Sequence, residues 1–117
     1  MANLTKAQLS ARVLEHLGVK AGVQSANASD DALVQEAIDA AHERLRKFGL
    51  VPFATSAIPP WAQIQLRDYV AGDVAQTFGL GGARLTEFKQ MAQVAERELA
   101  RQISGYRHPL QITADYF

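Results

Sequence analysis

Four glycines set the plan of this chain. Gly18, Gly49, Gly79 and Gly105 each follow a stretch in which apolar residues recur three or four positions apart. That spacing marks one face of an amphipathic helix, and a glycine just after it is the commonest helix stop. Four stripes with four stops predict an all-α protein, and no alternation of strand type competes with them.

The first helix is written almost completely in local chemistry. Thr5 and Gln8 form a capping box, with Leu4 and Leu9 placed for a hydrophobic staple. Leu9, Val13 and Leu17 make its face with Leu14 beside them, and Leu17-Gly18-Val19 is the stop. Ser29 is read as the cap of the second helix, with Asp30 and Asp31 at the positive end of its dipole. Its expected face is Leu33, Ala37, Ala41, Leu45 and Phe48, its last turn is basic, and Gly49 ends it.

The segment from Leu50 to Ile58 is too apolar for a solvent link, so it either covers the core or meets a neighbour. Pro59 and Pro60 then open the third helix, because proline is well suited to the first helical position. That helix is expected from Pro60 to Phe78, with Leu66, Val70, Val74 and Phe78 four apart and Trp61, Ile64, Tyr69 and Ala71 widening the stripe. Gly72 costs about 1 kcal/mol there relative to Ala, which a close crossing by another helix would explain. Phe78-Gly79-Leu80 repeats the earlier stop. The fourth helix begins near Ala83 to Thr86, carries a seam of Leu85, Phe88, Ala92, Ala95, Leu99 and Ile103, and is expected to stop at Gly105.

The expected architecture is a small four-helix bundle with an apolar inter-helix loop and an extended C-terminal arm. Its domains are a helical body, 1–105, and a docking arm, 106–117. The arm, YRHPLQITADYF, holds Tyr106, Leu110, Ile112, Tyr116 and Phe117 at spacings that do not continue a helix. Disordered tails are poor in such residues. Burying them gains roughly 1.5–3 kcal/mol each, while ordering the backbone costs about 1–2 kcal/mol per residue. One arm alone breaks even, and many arms presented together bind. The competing reading is that the tail folds back on its own body.

With 117 residues the chain is one domain, and its twelve basic and twelve acidic residues cancel. Zero net charge argues against tight sequence-independent nucleic-acid binding by a single copy. There is no cysteine, hence no disulfide or thiolate metal site, and no apolar run of membrane-spanning or signal-peptide length. The expectation is a protein made and kept in the cytosol unless it leaves within something larger.

No catalytic constellation stands out. His16, His42 and His108 lack metal-ligand pairing, and adjacent Asp30 and Asp31 do not face each other on a helix. The GLGG at Gly79 to Gly82 follows a helix and lacks the Lys-Ser/Thr of a phosphate loop. Neither enzyme activity nor a cofactor is expected.

The order of features resembles the head-to-tail adaptor proteins of tailed bacteriophages, also called head-tail connector, tail accessory or packaged-DNA stabilisation proteins. The residues carrying this are T-K-A-Q-L-x-x-x-V-L-x-x-L-G-V (Thr5 to Val19) and S-D-D-A-L-V-x-E-A-I-D (Ser29 to Asp39), then F-G-L-V-P-F (Phe48 to Phe53) and I-P-P-W (Ile58 to Trp61). A helix closing in F-G-L and an Ala-rich last helix complete it.

The resemblance implies a virion protein at the capsid-tail junction, assembled in the host cytoplasm. It implies a homo-oligomeric ring, usually of twelve copies, beneath the portal protein. Such a ring meets a downstream tail or head-completion protein, continues the channel for packaged double-stranded DNA and helps retain that DNA. It also implies that Tyr106, Leu110, Ile112, Tyr116 and Phe117 dock on the portal. Val51, Phe53 and Ile58 are candidate subunit or tail contacts, and Arg97 and Arg101 candidate DNA-channel residues. No membrane partner is expected. The alternative is a small helical DNA-binding regulator with the first two helices as a helix-turn-helix, although Asp30 and Asp31 would then meet phosphates.

Overall fold

Leu4 is clipped to Ile58 before any helix begins. Their main chains exchange two hydrogen bonds, of 2.9 and 2.8 Å, as an isolated antiparallel bridge. The fold is that of a computed structural model in which residues 2–19 and 27–107 are described, the side chains as far as residue 103. It is all-α: α1 (Lys6–Leu17), α2 (Ala28–Lys47), α3 (Pro60–Val74) and α4 (Gly82–Arg107).

α1 starts and stops as its sequence dictates. The Gln8 N–H donates to Thr5 Oγ1 at 3.3 Å and the Thr5 N–H donates to Gln8 Oε1 at 2.9 Å, closing the capping box. At the other end Gly18 takes the left-handed φ of 80° and Val19 N–H reaches back to Leu14 O at 3.0 Å. Leu9, Val13 and Leu14 are fully buried.

α2 departs from expectation at both ends. Its N-cap is Asn27, whose Oδ1 accepts the Ser29 N–H at 2.8 Å, so Ser29 lies inside the first turn. The buried face is Val34, Ile38, Ala41 and Leu45, with Leu33 and Ala37 on its edge. Phe48, expected in that face, is 68% exposed because it sits at the C-cap, past the last helical residue. Leu50 N–H returns to Leu45 O at 3.0 Å, and the turn throws the Phe48 ring outward.

The apolar segment from Leu50 to Ile58 covers the core. Val51 and Ile58 are buried, and Phe53 packs edge-on against Trp61 at 5.7 Å. His42 Nε2–H donates to the Phe53 carbonyl at 2.6 Å, tying the segment to α2.

α3 is the central helix, burying Ala62, Gln63, Leu66, Val70, Ala71, Gly72 and Val74. Regular helix ends at Val74 rather than Phe78. The chain then tightens through turns until Gly79, at φ 86°, lets Leu80 N–H close on Ala75 O at 3.1 Å. α1, α2 and α3 pack on one another, whereas α4 lies along α3 and approaches no other helix backbone among the described residues.

The α3–α4 contact is close enough to require glycine. A Cβ built on Gly72 would lie 2.5 Å from Ala92 Cβ and 3.1 Å from Phe88 O. α4 also runs through Gly105 to Arg107, so it includes the first two residues of the expected arm. Glycine adopts right-handed helical angles at a cost of about 1 kcal/mol, and ends a helix where the chain turns back; at Gly105 it continues.

Candidate functional site

The described surface has its chemistry on the two flanks of the α3–α4 hairpin. On one flank the last turn of α1 sets His16 against Asp68 of α3, Nε2 to Oδ1 being 3.3 Å apart. His16 Nε2 is buried and makes no hydrogen bond, so it lies beside the carboxylate without being bonded to it. Arg67 donates to the same Asp68 oxygen through Nε and Nη2 at 3.0 and 2.9 Å, committing the carboxylate to its neighbour.

Burial holds His16 below the ordinary 6.5, reinforced by the Arg67 cation and opposed by Asp68. The imidazole is therefore neutral at neutral pH. Its ring and that of Phe88 meet edge to face with centroids 5.3 Å apart, and the Arg84 guanidinium lies over the Phe88 ring, 5.6 Å from its centroid. An open groove of about 500 Å3 runs beside this cluster, lined by Arg12, Glu15, His16 and Arg67. Mixed charge on its walls favours mutual neutralisation over capture of an anion.

The cluster lacks the parts of a hydrolytic site. Ser10, the buried hydroxyl of α1, is held elsewhere, donating to Asp31 Oδ1 at 2.6 Å. Among the described residues no three His, Cys, Asp or Glu side chains come together as metal ligands. No described helix is long and apolar enough to cross a membrane.

A second groove, of about 390 Å3, adjoins the first and is lined by Asp68, Glu87, Gln90, Met91 and Val94. Val94 is 60% exposed there, and Ile64, one turn before Asp68 on α3, is 59% exposed. On the other flank Arg44 of α2 is ion-paired with Asp73 and lies over the Tyr69 ring at 5.3 Å. Burial pushes the Tyr69 phenol above its usual range, with Arg44 pulling against it.

The residues expected to make contacts scatter. Val51 and Ile58 belong to the core and are not surface, while Phe53 is half-buried. Arg97 is exposed on α4. Arg101 is also exposed and is paired with Glu98, its Nε donating to Oε2 at 3.0 Å. Tyr106 lies in the last turn of α4, and Leu110, Ile112, Tyr116 and Phe117 fall outside the described residues. Sequence reasoning assigned Phe48 and Ile64 to buried stripes and passed over Val94. The available signals were the position of Phe48 at the helix stop and the offset of Val94 from the Ala92–Ala95 seam.

No family model, curated protein or solved structure matches the chain.

Proposed function

We propose that this chain is a structural assembly subunit of a tailed phage, a ring-forming adaptor between the capsid portal and the tail. In this reading the ring continues the DNA channel and helps retain packaged DNA, and the chain performs no catalysis. The observation that carries it is the apolar sequence that follows α4: Leu110, Ile112, Tyr116 and Phe117 come directly after a 26-residue helix with a charged outer face. A helix packed along α3 and followed in sequence by apolar and aromatic residues suits a contact with a neighbouring protein. Multiplication of that segment around a ring turns a weak contact into a firm one.

The four-helix order, with its Thr5–Gln8 box, Gly18 stop and Pro59-Pro60 entry, is the pattern on which the resemblance rests.

Light scattering tests the proposal. The purified chain is mixed with a purified portal ring, in full-length form and with 109–117 deleted. Stoichiometric binding that is lost with the deletion, while circular dichroism of the shortened chain stays helical, is the expected result. A full-length chain that ignores the portal sinks it.

A further inference from the structure

Apolar side chains stand exposed at the end of α2 and on α4, set among opposite charges. Phe48 stands 68% exposed at the end of α2, after a last turn containing Arg44, Arg46 and Lys47. The groove of about 390 Å3 offers Met91 and Val94, with Asp68 and Glu87 as its acidic members. That these sites lie on different flanks follows from α3 itself. Tyr69 and Asp73, one turn apart, hold Arg44 of α2. Asp68 faces His16 of α1 instead. The crossing of α4 at Gly72 falls between the two directions.

Most of the nearby charge is already committed. Arg44 is paired with Asp73, Arg46 with Glu43, and Asp68 with Arg67. Among the described residues Lys47 and Glu87 enter no ion pair. Lys47 still acts on the Glu43 carboxylate and Arg84 lies one turn before Glu87, but the last turn of α2 beside Phe48 is mainly basic and the charged residues lining the groove itself are acidic.

We infer that Phe48 of one copy seats in the Met91–Val94 groove of the next copy, with Lys47 against Glu87. The inference rests on the ring reading above and names its interface. Two different patches on opposite flanks give a head-to-tail contact, the kind that generates rings, whereas a two-fold dimer needs one patch that faces itself. An aromatic ring entering a pocket, bordered by a charge pair, is a common centre for such a contact.

The absence of cysteine allows a direct test. Full-length Lys47→Cys and Glu87→Cys chains, which keep Phe48 and its groove, are mixed and oxidised. The expected product is the mixed disulfide dimer, in excess over both homodimers. Homodimers in random proportion, or no cross-link at all, overturn the inference. Because both positions are exposed, the variants keep the fold, which circular dichroism checks.

A charge exchange gives the second readout, by sedimentation of the full chain. Lys47→Glu or Glu87→Lys alone weakens self-association several-fold, as placing like charges across an interface does. The double variant restores it. Equal association by all four proteins overturns the pairing. Cross-linking without portal binding keeps this interface and removes the adaptor reading; portal binding without cross-linking does the reverse.

Discussion

The α1–α2–α3 body and the α3–α4 hairpin are held together by opposite means. The body fills its interior with branched aliphatics, among them Leu9, Leu14, Ile38, Leu45 and Leu66, all fully buried. The hairpin instead brings backbones close through Gly72 and Ala92. Volume is what the body needs and what the crossing excludes. The same methylene group is therefore stabilising in one region and disruptive in the other.

Removing volume from the body has the largest expected effect. Leu66→Ala leaves a cavity at the centre of α3 and is expected to cost about 2–5 kcal/mol in urea unfolding. Adding volume at the crossing comes next. Gly72→Ala in an ordinary helix interior stabilises by roughly 0.5–1 kcal/mol, yet here its Cβ meets Ala92 Cβ at 2.5 Å. We expect destabilisation of about 1–3 kcal/mol, relieved in part by Ala92→Gly. A stabilising Gly72→Ala would erase the contrast between the regions.

Thr5→Ala removes the α1 cap, and a loss of about 0.5–2 kcal/mol is expected in the same unfolding assay. The smallest effect lies where body and hairpin meet, at His16. Its folded pKa is below the ordinary 6.5, so the unfolded chain takes up the proton first as pH falls. Stability from this group is complete above 6.5, declines as pH drops through that value, and levels once the folded imidazole is also protonated. His16→Gln should flatten that part of the stability profile, and an unchanged profile would show that His16 does not shape it.

Legibility in the sequence followed the range of the interactions. The Thr5–Gln8 box, the Gly18 stop and the Pro60 entry depend on neighbours within a few residues, and the structure has all three. The close crossing at Gly72 was also readable, since an interior glycine in an apolar helix requires a reason. Phe48 was misread because regular helix ends before it, so the stripe through Ala41 and Leu45 does not carry on to it, and within α2 tertiary packing buried Val34 and Ile38 more deeply than Leu33 and Ala37. The pairing of His16 with Asp68 joins helices distant in sequence and left no local trace. The inward turn of Val51 and Ile58 was legible as one of two readings of an apolar segment, core cover or neighbour contact, and the fold selects the first.

The antiparallel bridge makes the amides of Leu4 and Ile58 a gauge of something larger than themselves. Each N–H donates to the other residue's carbonyl, and everything from α1 through the apolar segment lies between them in sequence. Their exchange with deuterated water requires the short segment before α1 to lift away from Ile58, whether or not a helix frays. Exchange at these two positions, slow together or fast together, reports how firmly the N-terminal segment is docked on the segment that leads into α3.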